Sequence, residues 1–197
     1  MKMRRSLVGV LLVLLAVLLV LAPNEKKLGH ALRFVLLHGA VTWVSFVIFI
    51  IFGVAALLYL LSGKRVLFDI AAQTQKVGTG FWFVNFLIWV PLGYLEWNVV
   101  AWSGEPKAVA AVWVMLFLAV GYIAAQVTAN PKILAGLYLL ISIGIWWRYS
   151  GVGRVLHPLD PVGTSESLLI KGFFIAMLLV CLSLALVLSK PSSHKQS

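Results

Sequence analysis

Residues 34–61 read FVLLHGAVTWVSFVIFIIFGVAALLYLL, and His38 is the only side chain among them that titrates near neutral pH. The run is longer than the roughly 20 apolar residues that a helix needs to cross a bilayer. It therefore predicts a membrane-spanning helix. A histidine inside such a helix is expected to face the helix bundle or a polar partner, because lipid cannot solvate it.

The rest of the chain has the same character. Of its 197 residues, 62% are hydrophobic and 11% are charged, against about 25% charged in soluble domains. Predicted spans, separated by turn-forming residues, cover roughly 6–22, 34–61, 79–95, 108–127, 133–149 and 168–189. We predict an all-α polytopic membrane protein, a six-helix bundle in which residues 1–197 form one integral domain. The polar tail 190–197 is predicted to be disordered.

The first apolar segment has an alternative interpretation. Lys2, Arg4 and Arg5 precede it and Ala22-Pro23 follows it, a pattern that is also typical of a signal peptide. Its apolar run is longer than a usual signal core and lacks a clean cleavage site, so we expect a retained helix. The single cysteine, Cys181, lies in an apolar run and has no second cysteine for a disulfide or a metal site.

An even number of spans places both termini on one side, and the basic N-terminus and loop 62–78 favour the cytoplasm. The basic residues then divide nine inside to seven outside, a modest bias. Those inside are Lys2, Arg4, Arg5, Lys64, Arg65, Lys76, Lys132, Lys190 and Lys195, and those outside are Lys26, Lys27, Arg33, Lys107, Arg148, Arg154 and Lys171. Five of the six carboxylates lie outside: Glu25, Glu96, Glu105, Asp160 and Glu166. This orientation predicts a plasma (inner) membrane protein whose functional face is extracytoplasmic. The net charge of +10 suits membrane lipid rather than nucleic acid, since no soluble segment carries a basic, aromatic-rich patch.

Most tryptophans share the predicted outer side. Those in outer halves or loops are Trp89, Trp97, Trp102, Trp113, Trp146 and Trp147, with Trp43 deeper and Trp82 expected near the inner end. An interfacial belt would explain some of them. A belt should decorate both interfaces, however, so a functional aromatic platform is the other interpretation.

Two of the four histidines have informative contexts. His38 lies inside a span and is followed by Gly39-Ala40, which would let either a flat group or another helix approach. His157 lies in a long outer loop before Pro158. Two imidazoles from different helices are compatible with the axial sites of haem iron, or with hydrogen bonds inside the bundle. His30 and His194 have ordinary loop and tail contexts.

The segment from Leu32 to Ala40, with Trp43 beyond it, resembles the second helix of the CcmC branch of cytochrome c assembly proteins. Trp146-Trp147-Arg148 followed by Leu156-His157-Pro158 is similar to that family's last outer loop, and the region 107–122 resembles the helix after its tryptophan-rich loop. The tryptophan-rich loop itself differs, because the region around Trp97 and Trp102 has fewer tryptophans than the family pattern.

The resemblance implies non-covalent, b-type haem held between His38 and His157 at the outer face. It implies that haem-contacting side chains come from Trp97, Trp102, Trp146, Trp147, Trp43, Glu105, Lys107, Arg148 and Arg154. Its cations would pair with the haem propionates. Implied partners are a haem chaperone, an apocytochrome and ABC-type subunits of cytochrome c maturation.

Other function classes remain open from the sequence. No catalytic motif is present, so we expect haem handling rather than turnover by this chain. A small-solute or ion transporter or channel subunit would need polar groups at mid-span, where Asn85 and Ser142 are the main candidates. A purely structural subunit of a membrane complex would need neither His38 nor His157.

Overall fold

Six α-helices make up the computed structural model, which describes residues 2–26, 28–97, 104–152 and 162–190. The helices are α1 (Lys2–Leu21), α2 (Leu32–Ser62), α3 (Arg65–Trp97), α4 (Pro106–Val127), α5 (Pro131–Ser150) and α6 (Leu168–Ser189). The described residues contain no β-strand, only an isolated bridge between Glu25 and Gly29. All six helices are long and apolar enough to cross a membrane, as the sequence predicts.

The third helix is longer than the predicted span 79–95. It begins at Arg65, so the loop predicted over 62–78 is a tight turn at Gly63 and Lys64 followed by helix. Gly63 adopts φ +68°, a left-handed conformation that favours glycine, and its N–H donates to the Tyr59 carbonyl oxygen at 2.8 Å. Polar residues lower the mean hydropathy of 65–78, but the helix continues through them.

The central helix is α2, which packs against α3, α5 and α6. On one side, α2 joins α3, α4 and α5 in a core that includes Phe49, Phe52, Trp82 and Tyr138. On the other side, α2 packs with α6, α1 and part of α3 around residues such as Leu36 and Met177. Because both sides of α2 are covered, its apolar side chains include the most deeply buried ones of the protein.

The ends of α1 and α6 meet at one end of the bundle. The Arg4 guanidinium donates to the carbonyl oxygens of Leu188 at 2.6 Å and Lys190 at 3.2 Å, and Gln73 Nε2 donates to Leu188 O at 3.2 Å. These bonds satisfy carbonyl groups that the end of a helix leaves without intrahelical partners. We call this the terminal end. The opposite end, where α2 begins and α3 finishes, is the His38 end.

Close approach of α2 and α5 depends on Gly53. A Cβ atom at this position would lie 2.3 Å from Ser142 Oγ and 2.6 Å from Ser142 Cβ, and the Ser142 hydroxyl donates to the Phe49 carbonyl oxygen at 2.9 Å. Such separations are shorter than van der Waals contact. A side chain at residue 53 would therefore push the two helices apart.

We predict that Gly53→Ala lowers stability, whereas Gly80→Ala does not. Both residues lie inside helices, but nothing lies within 4 Å of a Cβ atom at Gly80. Alanine favours helix over glycine by about 1 kcal/mol, whereas overpacking typically costs about 1–3 kcal/mol. Thermal unfolding midpoints in detergent should fall for Gly53→Ala and hold or rise for Gly80→Ala. Equal midpoints for the two variants would contradict the close α2–α5 approach.

Candidate functional site

His38 lies in the second turn of α2, half-buried, and is anchored from below by a hydrogen bond between two helices. One turn deeper, the Thr42 hydroxyl shares its single proton between two acceptors, the His38 carbonyl oxygen at 2.8 Å and Asn85 Oδ1 of α3 at 2.9 Å. Asn85 is buried, with 4% of its surface exposed. Polar groups buried in an apolar bundle require such partners. The pair therefore fixes the height and rotation of α2 against α3 just below His38.

A tryptophan of α3 lies at the level of His38. Trp89 follows Asn85 by one helical turn, just as His38 precedes Thr42 by one turn on the antiparallel helix. The two residues therefore share a level at the α2–α3 contact. Trp89 is buried, and its indole ring lies 6.4 Å from the ring of Phe86 between centroids. The structure thus places a largely buried indole at the level of the turn that carries the histidine.

Below His38, four aromatic residues form a layer between α2, α3 and α5, which we call the aromatic layer: Phe46, Trp82, Trp146 and Tyr149. The Phe46 ring lies 5.4 Å from that of Trp146 and 4.8 Å from that of Tyr149, measured between centroids. The Trp82 indole N–H donates to the Ala111 carbonyl oxygen at 3.0 Å. Phe46 is two turns below His38, so this layer separates the His38 region from the core nearer the terminal end.

The position of Trp82 differs from expectation. The sequence placed it near the inner end of its span, but α3 begins at Arg65, so Trp82 lies near the middle of the helix. Its ring is buried with 1% exposed and packs 6.2 Å from Tyr149 between centroids. Trp82 is therefore an interior packing residue rather than an interfacial one.

Glu105 is fully buried at the start of α4. Its side chain accepts a hydrogen bond from the Lys107 backbone N–H at 3.2 Å, and Pro106 occupies the first helical position. A carboxylate here is favoured by the free N–H groups and the positive end of the helix dipole.

The other predicted site residues divide between two sides of α5. Trp146 contacts Phe46 in the aromatic layer, below His38. Its neighbour Trp147 is 76% exposed and, with Arg148, lines a groove on the α4 side of the helix. Adjacent residues point about 100° apart on an α-helix, so the two tryptophans serve different surfaces.

Trp43 also lies away from the other predicted residues. It is 62% exposed and follows His38 by five positions, which rotates it about 140° around α2. Gly39 packs against α6, where a Cβ atom would lie 3.1 Å from the Phe174 ring. The small residues after His38 would let either a flat group or another helix approach. In the structure, another helix, α6, approaches at Gly39.

Three predicted residues, Trp102, Arg154 and His157, lie outside the described residues, and the side chain of Trp97 is not among those described. The segments that carry them connect α3 to α4 and α5 to α6. Both connections are at the His38 end, because α3 and α5 finish there and α4 and α6 begin there. Within 2–26, 28–97, 104–152 and 162–190, no three His, Cys, Asp or Glu side chains converge as metal ligands. Comparison of the chain with protein-family models and with curated proteins returned no match.

We predict that Glu105→Ala destabilises the protein more than Asn130→Ala. Both residues cap a helix that begins with proline, and Asn130 accepts from Lys132 N and Ile133 N. Asn130 is exposed, so its loss should cost about 1 kcal/mol, as is typical of a cap. Glu105 is buried, so its removal also leaves a cavity and an unpaired N–H group.

Thermal unfolding midpoints in detergent would separate these effects. Glu105→Gln, which keeps an acceptor oxygen in place, should lie between wild type and Glu105→Ala. If Asn130→Ala lowers the unfolding midpoint as much as Glu105→Ala or more, the structural role assigned to the buried carboxylate is contradicted.

Proposed function

We propose that this multi-pass membrane protein binds haem at its His38 end and presents it for the maturation of c-type cytochromes. The observation that carries the proposal is the placement of His38: half-buried near a helix end, at the level of the buried Trp89 and above the aromatic layer. An imidazole in an apolar, aromatic surrounding is a suitable axial ligand for haem iron. The resemblance to the CcmC branch suggests the same ligand.

The chemistry of the described side chains fits a haem. His38 would supply one axial nitrogen, and His157, in the segment between α5 and α6, would supply the second. Trp89 is level with His38 and offers an apolar wall, while Lys107 on the first turn of α4 offers a cation for a propionate. The Thr42–Asn85 bond positions His38, since it holds the turn that carries the histidine. Bound haem would supply the iron, and the protein's residues would hold and orient it.

The proposed orientation places the His38 end outside the cytoplasm. The terminal end carries Arg4, Lys64, Arg65, Lys132 and Lys190 at or next to helix ends, and cytoplasmic loops are enriched in such residues. Haem at the opposite end would then be presented on the side where c-type cytochromes are assembled. Partners on that side would be a haem chaperone and the apocytochrome, with ABC-type subunits in the membrane.

We predict that the purified protein binds added haem with a Soret absorption band typical of bis-histidine ligation. His38→Ala and His157→Ala should each lower the haem content and shift the band, because each variant removes one axial nitrogen. His30→Ala and His194→Ala are matched controls. His30 contacts the exposed Arg33 guanidinium through its Nδ1 atom at 3.2 Å, and His194 is in the polar tail.

Adding imidazole tests whether His38 is a ligand or only supports the fold. Free imidazole should restore the Soret band of His38→Ala if a ligand position has been vacated. Absence of a Soret band in the wild-type protein after haem addition, or unchanged spectra in both ligand variants, would overturn the proposal. A loss that imidazole does not restore, together with a lower unfolding midpoint, would assign His38 a structural role instead.

A further inference from the structure

A groove runs between α4 and α5 on the side of α5 that faces away from α2. Trp113, Phe117, Trp147 and Arg148 line it, and its cavity volume is about 310 Å³. The rings of Trp113 and Phe117 lie 6.0 Å apart between centroids. At the deep end, Phe117 lies over Gly144, where a Cβ atom would be 3.4 Å from the phenyl ring. The groove is therefore apolar along its length and has one cation.

The depth of the groove matches one leaflet of a bilayer. Trp113 lies about 10 Å, and Phe117 about 16 Å, along the axis from the first residue of α4. Arg148 is in the last turn of α5, at the same end of the bundle. Half of a hydrocarbon core is about 15 Å thick. The aromatic part of the groove would thus lie at the depth of lipid tails, with the guanidinium at the headgroup level.

The charge of Arg148 selects among possible occupants. No ion pair of Arg148 occurs among the residues that the structure describes, where the only salt bridge joins Arg65 and Asp69. Trp147 and Trp113 are 76% and 46% exposed, so the groove is open to its surroundings. A cation at the mouth of an apolar groove complements an anionic headgroup above a hydrocarbon tail.

We propose that this groove is a binding site for an anionic phospholipid of the leaflet at the His38 end. One hydrocarbon tail would lie along Trp113, Phe117 and Trp147, and the headgroup phosphate would pair with the Arg148 guanidinium. The site goes beyond the proposed haem site, because α5 separates the groove from the aromatic layer, where Trp146 contacts Phe46. It assigns Trp147 and Arg148 to lipid rather than to haem.

The test is native mass spectrometry of the full-length protein in detergent, titrated with phosphatidylglycerol or with phosphatidylcholine. Wild type should bind the first phosphatidylglycerol more tightly than phosphatidylcholine, by about fivefold for one interfacial cation. Arg148→Gln should abolish this preference, and it should weaken phosphatidylglycerol binding more than phosphatidylcholine binding, because choline already balances the phosphate charge of phosphatidylcholine. Lys171→Gln, a cation on the first turn of α6 outside the groove, is the matched control and should retain the preference.

Two further measurements separate the alternatives. Phe117→Ala should weaken binding of both lipids, since it removes apolar contact rather than charge. If Arg148→Gln and Lys171→Gln lose the preference for phosphatidylglycerol equally, the proposal is overturned, because the lipid is then attracted by the overall positive charge rather than by this groove. Displacement of the lipid by added haem would overturn it in favour of a single shared site.

Discussion

The register of α2 against α3 determines the position of every group at the His38 end. The tight turn at Gly63 starts this register, and three contacts continue it along the helix pair. The rings of Tyr59 and Phe68 lie 5.4 Å apart between centroids, Gly78 faces Phe49, and Thr42 bonds to Asn85 at 2.9 Å. A shift of one residue would rotate each helix by about 100°. It would break the only polar contact of the three and leave Asn85 buried without that partner.

The number of helices could be predicted from the sequence because hydropathy alone decides it. The start of α3 could not, because the segment after Arg65 buries some of its polar side chains inside the bundle. Gln75, for example, is fully buried and its Nε2 donates to the Leu118 carbonyl oxygen at 3.0 Å. A window average counts such a residue as polar and begins the span too late. The helical periodicity of apolar residues within 65–78 is the signal that extends the predicted span toward Arg65.

The candidate site could be predicted only in part. His38 was singled out because an imidazole inside an apolar run needs a partner, and its surroundings could not be derived without the helix register. The antiparallel packing of α3 brings Asn85 to the level of Thr42 and Trp89 to the level of His38. A single sequence does not reveal this packing. The Glu105-Pro106 pair, by contrast, carried a readable cap signal, since proline favours the first helical position.

The Trp146-Trp147 pair shows why residues adjacent in sequence are a poor guide to a shared surface. One indole, 40% exposed, packs against Phe46, and the other lines the α4–α5 groove. Helical geometry alone separates them. A platform built from tryptophans would therefore have to draw on residues a full turn apart or on different helices.

The bonds from Arg4 to the end of α6 have a consequence for how the protein is made. Among the six helices, α1 is synthesised before the others and α6 after them, yet α6 is the principal packing partner of α1. Until α6 has been synthesised, the face of α1 that later packs against it has no helix of this bundle to contact. Within these six helices, the order of synthesis and the order of packing thus run in opposite senses.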